Sequence, residues 1–101
     1  MKDRPHDEAM DEMLRDDPGF AAEFLNHTLD EGDQADLLVA LRQMAMAFGG
    51  VPAVAARAKL NPTQLYRTLS ADGNPELKSL VAVLKAMNMR LAIQPLPHAV
   101  K

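Results

Sequence analysis

The stretch VPAVAARAKLNPTQLYRTLS, residues 51–70, decides the fold of this 101-residue chain. Its first half is rich in alanine, and its second half opens at Asn61-Pro62, a capping residue followed by a proline that suits the first turn of a helix. Ala55 stands where two short helices would cross closely, and Leu65 would anchor the second helix to the core. This pattern predicts two short helices joined by a tight turn, a helix-turn-helix unit.

The second helix of this unit carries polar side chains on its outward face. A glutamine can pair with the N6 and N7 atoms of adenine, and an arginine with O6 and N7 of guanine, in the DNA major groove. Residues near the start of such a helix reach bases, whereas flanking positions reach phosphates. We predict base contacts by Thr63, Gln64 and Arg67. We predict backbone contacts by Lys59, Asn61, Tyr66, Ser70 and Asn74.

The turn of this unit departs from the usual pattern at Lys59. Helix-turn-helix sequences usually place glycine four residues after the crossing alanine, and lysine occupies that position here. If the turn needs a positive φ, Lys59 adopts it at a cost of about 1 kcal/mol or more. Otherwise the turn has a slightly different shape, and the register of the second helix shifts with it.

Length and composition indicate one small helical domain. The hydrophobic fraction of 48% comes from Ala, Leu, Val and Met rather than from aromatic residues, which favours helices. There is no cysteine, so disulfides and thiolate metal sites are excluded. The charged N-terminus is unlike a signal peptide, and no run approaches the roughly 20 apolar residues of a membrane span. We therefore expect a cytoplasmic protein that does not bind membranes.

Capping residues and apolar spacing predict an all-α fold with five helices. The predicted helices cover about residues 18–31, 34–48, 52–58, 62–69 and 75–87. Asp17, Asp33 and Asn61 would cap the first, second and fourth of them, and the last would be capped by Asn74 and begin at Pro75. Residues 1–16 are mostly polar, and we expect them to form a flexible acidic arm. Residues 17–101 would then form a single helix-turn-helix domain.

A short strand is predicted near the C-terminus. Residues 90–94 alternate between apolar and polar side chains before Pro95. A lone strand needs a partner, and pairing with a second copy would place Leu91 and Ile93 in a dimer interface. Two recognition helices would then lie roughly 34 Å apart, as a palindromic operator requires. The alternatives are a tail packed on its own bundle and pairing with part of residues 1–16.

The two halves of the chain differ in charge. Residues 1–50 contain twelve acidic and four basic residues, a net charge of −8, whereas residues 51–101 contain two acidic and seven basic residues, a net charge of +5. An overall charge of −3 argues against nucleic-acid binding, since phosphate neutralisation drives most of it. The split instead suggests two faces with different partners. A simply solvated acidic N-terminus is the alternative.

Enzymatic and metal chemistry find little support in the sequence. The three histidines are spread along the chain with no pair at helical spacing, and a metal site would need such a pair and a third ligand. The carboxylates of residues 11–17 lie in the expected arm, where burial cannot tune them for catalysis. No serine or threonine has a plausible base beside it. We therefore expect no catalytic residue, no metal, no cofactor and no enzyme activity.

Four segments of the chain stand out together: FLNHTLDEGD (24–33), LLVALRQMA (37–45), VAARAKLNPTQLYRTLSADGNP (54–75) and LVAVLKAMNMRLAIQP (80–95). In this order they resemble a known family, the addiction-module antidote proteins, which are the antitoxins of type II toxin–antitoxin systems with a lambda-repressor/Cro-like helix-turn-helix. The resemblance covers residues 20–95. Its most specific parts are Leu65-Tyr66-Arg67 with Leu69-Ser70, Gly73-Asn74-Pro75 and the closing segment of residues 84–95.

This resemblance implies a five-helix lambda-repressor-like domain that forms a small dimer. It further implies binding to a double-stranded DNA operator in the protein's own promoter and neutralisation of a co-encoded toxin, usually a small basic protein. Two other functions fit the sequence. One is a stand-alone helix-turn-helix regulator without a toxin partner, and the other is a helical interaction module that does not bind DNA.

Overall fold

A computed structural model of the chain describes residues 6–96, and this part of the chain contains six helices and no strand. The helices are α1 (His6–Asp16), α2 (Pro18–Glu31), α3 (Gln34–Ala47), α4 (Val51–Ala58), α5 (Pro62–Thr68) and α6 (Leu77–Ala86). The all-α class is confirmed. The predictions of five helices and of a C-terminal strand are wrong, and helix α1 accounts for the difference in helix number.

Helix α1 lies within the segment that the sequence analysis assigned to a flexible arm. Its side chain at Leu14 is 0% exposed, and Met10, one turn earlier, is packed against the same core. The helix contacts both α2 and α3. Helix α1 therefore packs on the core through Met10 and Leu14, whereas residues 1–5 of the expected arm lie outside the described part of the chain. Because this segment has only two core positions among many charged residues, its apolar spacing did not predict a packed helix.

Helix α3 lies at the centre of the fold, where it contacts α1, α2 and α4. Its Leu38, Leu41 and Met44 side chains are fully buried, and each contributes about 1.5–3 kcal/mol by leaving water.

No single helix within residues 6–96 is long and apolar enough to cross a membrane. Helices α3 and α4 meet that requirement only as a pair, and they are bent by 92° at their junction.

The N-termini of three helices confirm the capping residues that the sequence predicted. Asp17 accepts a hydrogen bond from the N–H of Phe20 at 3.0 Å, and Asn61 caps α5 in the same way. Asp33 and Asp36 form a reciprocal capping box at the start of α3. These bonds satisfy N–H groups that have no partner inside the helix, so the caps set where each helix begins.

Helix α6 begins later than predicted. Its cap position is Glu76, with no side-chain hydrogen bond, whereas the sequence analysis placed the cap at Asn74 and the first residue at Pro75. The N–H of Gly73 donates to the carbonyl of Ser70 at 2.8 Å. This turn closes the end of α5, and residues 74–76 then run in non-helical conformation to α6.

The segment after α6 is extended but unpaired. Residues 89–96 have no regular secondary structure, because residues 6–88 supply only helices and turns and therefore no strand edge. Leu91 is 45% exposed and Ile93 is 99% exposed. The segment forms one side of an apolar groove of about 410 Å³, whose other walls come from α2, α3 and α6.

Candidate nucleic-acid interface

Helices α4 and α5 are short, are joined by three residues and pack against each other. Ala55 is fully buried, as expected for a position of close helix crossing, and Leu65 anchors α5 with 4% exposure. Helix α4 also packs on α6. The pair therefore has the two buried anchors that the sequence analysis assigned to it.

The connection between α4 and α5 needs a positive φ, and Lys59 supplies it. Its φ of 61° and ψ of 44° are left-handed. This conformation lets the N–H of Leu60 donate to the carbonyl of Ala55 at 2.9 Å. Gly49 and Asn88, with φ of 105° and 64°, take positive φ values at the ends of α3 and α6. Lysine thus occupies a site that glycine usually fills.

Helix α5 presents one polar face to solvent. Leu65 and Leu69 are buried in the core, and they define the inner face of the helix. Besides Pro62, the exposed side chains of the helix are Thr63, Gln64, Tyr66 and Arg67. The structure therefore gathers all three predicted base-contacting residues on one exposed surface, with Tyr66 beside them.

The remaining predicted backbone contacts lie at the two ends of α5. Lys59 is exposed in the turn before it, and Asn74 is exposed in the loop after it. Asn61 and Ser70 already have local roles. Asn61 Oδ1 accepts from the N–H of Gln64 at 2.9 Å, and Ser70 Oγ donates to the carbonyl of Arg67 at 2.7 Å. The amide group of Asn61 remains available as a donor.

Arg42 is a neighbour of this surface that the sequence analysis did not single out. Its guanidinium carbon lies 3.8 Å from the centre of the Tyr66 ring, well within the range of a cation–π interaction. Arg42 belongs to α3, so no spacing within the α4–α5 sequence could have indicated the contact. Only the packing of the helices brings the two side chains together.

The side chain of Arg57 is bound to main-chain carbonyls of the protein itself. Its Nη2 donates to the carbonyl of Phe48 at 2.7 Å and its Nε to the carbonyl of Ala86 at 3.1 Å. These carbonyls lie at the C-terminal ends of α3 and α6, where the helix dipole favours a positive charge. Arg57 therefore joins two helix ends, and it does not belong to the exposed face of α5.

The charge difference between the halves of the chain is also a difference between packed elements. Residues 6–31, which form α1 and α2, contain nine acidic residues and one arginine. Residues 37–71 contain no acidic residue and four basic ones. The exposed face of α5 thus belongs to a basic stretch, as a phosphate-binding surface requires.

Within residues 6–96, no group of three His, Cys, Asp or Glu side chains could hold a metal ion.

This small all-α protein belongs to a family of antidote proteins. A family model described as "Probable addiction module antidote protein" matches residues 7–95, and membership of the antidote family is thereby confirmed. An uncharacterized protein of Haemophilus influenzae is 32% identical over 71 residues, which cover 70% of this chain and 72% of that protein. No solved structure matches the chain. The family suggests an antitoxin role, and antitoxins are generally not enzymes.

Proposed function

We propose that this protein is a sequence-specific DNA-binding antitoxin that represses its own promoter and neutralises a co-encoded toxin. The observation that carries the proposal is the exposed polar face of α5, on a helix anchored by Leu65 and Leu69. Family membership supports the antitoxin role. The proposed site of action is an operator in cytoplasmic DNA.

In this proposal α5 enters the major groove. Arg67 and Gln64 contact guanine and adenine edges, and Thr63 contacts a base near the start of the helix. Lys59 and Asn61 at one end and Ser70 and Asn74 at the other contact the sugar–phosphate backbone. These outer residues position the helix, whereas the inner residues carry the sequence preference.

Gel-shift titrations with the chain's own promoter DNA test this assignment. Gln64→Ala and Arg67→Ala should each weaken specific binding by about 1–3 kcal/mol and relax the preference at single base pairs. Arg15→Ala is the matched control, because Arg15 lies in α1 among acidic residues and should leave binding unchanged. If both α5 variants keep the wild-type affinity for promoter DNA and the wild-type base preference, α5 does not recognise DNA.

We further propose that the protein binds its operator as a homodimer through Leu91 and Ile93. The support is the run of exposed apolar side chains at Leu91, Ile93 and Leu96, which are 45%, 99% and 71% exposed, since several exposed apolar side chains together indicate an interaction surface. Ile93→Glu should shift the protein to monomer in sedimentation equilibrium. Gln94→Glu, which adds the same charge at the next residue, should leave the dimer intact. A stable Ile93→Glu dimer would exclude this interface.

The proposed toxin is a small basic protein, and the acidic residues 6–31 are the surface with complementary charge. Co-expression with the adjacent gene and purification through a tag on this chain tests it. Recovery of a small basic protein in a defined ratio supports the antitoxin, whereas DNA binding without any such partner supports a stand-alone regulator. A chain that binds neither DNA nor toxin would be a different kind of interaction module.

A further inference from the structure

We propose that Arg42, in α3, is a further DNA-binding residue, a phosphate contact held at the edge of the recognition surface by the Tyr66 ring. This inference rests on the proposed DNA binding through α5. It adds a residue from a helix outside the α4–α5 pair, and it gives Tyr66 a second role, that of positioning a cation.

The geometry of the contact leaves the guanidinium free to bind. The Arg42 guanidinium carbon lies 3.8 Å from the ring centre, so the arginine uses its flat face for the tyrosine. Its N–H donors point outward in the guanidinium plane and suit a phosphate. No ion pair or hydrogen bond engages Arg42 within the part of the chain that the structure describes. The Arg42 guanidinium, stacked on the ring with its N–H donors unused, can therefore bind an anion.

The position of Tyr66 on α5 places this cation at the flank of the recognition surface. At 100° per residue, Arg67 lies opposite the buried Leu65 and Leu69, at the centre of the exposed face. Tyr66 lies about a quarter-turn from that centre, on the side where Arg42 is found. The major groove is bounded by phosphate backbones. A helix that directs Arg67 toward the bases therefore brings its Tyr66 flank toward a phosphate.

The electrostatic surroundings favour this contact. Residues 37–71 contain Arg42, Arg57, Lys59 and Arg67 and no carboxylate. The guanidinium of Arg57 is held by two main-chain carbonyls. Arg42 belongs to the same basic stretch and lies beside α5. Its guanidinium has neither a carbonyl nor a carboxylate partner among residues 6–96.

The competing role for Arg42 is structural, as a clamp that only orients α5. Salt dependence separates the two roles, because a phosphate contact releases counterions on binding and a clamp does not. Arg42→Ala should weaken promoter binding about tenfold at near-physiological salt. It should also reduce the slope of log K against log salt concentration by about 1, with equal losses on specific and unrelated DNA. Arg15→Ala should keep the wild-type slope.

Variants of Tyr66 test the positioning role. Tyr66→Phe keeps the ring and should keep most of the contribution of Arg42. Tyr66→Ala removes the ring, and its effect should not add to that of Arg42→Ala in the double variant, since both break the same contact. Thermal unfolding of each variant, followed by circular dichroism, shows whether the helices are intact. Arg42→Lys should restore the salt slope but not the full affinity.

The outcomes distinguish this inference from the proposed function. If Arg42→Ala keeps the wild-type slope while Arg67→Ala loses specific binding, the DNA-binding function stands and the phosphate contact is wrong. If Arg42→Ala lowers affinity without changing the slope, Arg42 is a clamp and the inference is again wrong. If the intact protein shows no salt-dependent binding to its promoter DNA, both the inference and the proposed function fall.

Discussion

The side-chain amide of Gln34 donates a hydrogen bond to the carbonyl oxygen of Gly73 at 3.2 Å and ties the start of α3 to the loop after α5. Arg42, two turns further along α3, stacks on Tyr66 in α5. Helix α3 therefore contacts α5 at Tyr66 and the loop after α5 at Gly73. The orientation of the exposed face of α5 depends on these two contacts as well as on its own buried leucines.

Gly73 admits no side chain, and Gly73→Ala should destabilise the protein. A Cβ atom there would lie 1.7 Å from the carbonyl oxygen of Thr68, so the loop would have to move. We expect a loss of about 1–3 kcal/mol in the free energy of unfolding, measured by urea denaturation. Gly19→Ala is the control, because its new Cβ meets nothing closer than 3.4 Å and alanine favours a helix. Equal stability of the two variants would contradict the close approach.

Lys59 stores backbone strain, and Lys59→Gly should relieve it. Its φ of 61° costs a residue with a Cβ about 1 kcal/mol, and glycine avoids that cost. Urea denaturation should show a gain of about that size. Lys59→Ala separates backbone from charge: it keeps the strain and loses only the ammonium group. Both variants should lose the same DNA affinity if Lys59 contacts a phosphate, but only the glycine variant should gain stability.

Arg57 should contribute to stability rather than to DNA binding. Arg57→Ala removes the hydrogen bonds to the carbonyls of Phe48 and Ala86. Since the side chain is exposed, we expect a loss of about 1–2 kcal/mol in the free energy of unfolding. Arg57→Lys should recover only part of it, because an ammonium group cannot reproduce the planar fork. A reduced salt slope for promoter binding by stable Arg57→Ala protein would instead assign Arg57 to the DNA interface.

Leu14 tests whether α1 is part of the core. It is fully buried, so Leu14→Ala should lower the free energy of unfolding by about 2–5 kcal/mol through lost burial and the cavity left behind. The neighbouring Met13 is 49% exposed, and Met13→Ala should change stability by no more than about 0.5 kcal/mol. Similar small effects at both positions, measured by thermal or urea unfolding, would show that α1 is not packed as described.

Local signals carried most of the helix prediction. Asp17, Asp33 and Asn61 identified three helix starts, because a cap depends on a hydrogen bond within four residues of the chain. The same reasoning failed at Asn74, because residues 74–76 are not helical and α6 begins at Leu77, after a cap position at Glu76 without a side-chain hydrogen bond. The predicted strand at residues 90–94 failed for a related reason. Alternating side chains suit a strand, but a strand forms only when another strand lies beside it.

The sequence by itself determined the helical class, the family and the polar face of α5, including Thr63, Gln64 and Arg67. The polar face follows from spacing along a single helix, the helical class from composition and capping residues, and the family from the resemblance of four segments of the chain. Only the tertiary structure decided that α1 belongs to the core, that Arg57 joins two helix ends and that Arg42 lies against Tyr66. The physical reason is that these contacts join residues far apart in sequence. Their partners are selected by how the apolar faces of several helices pack together.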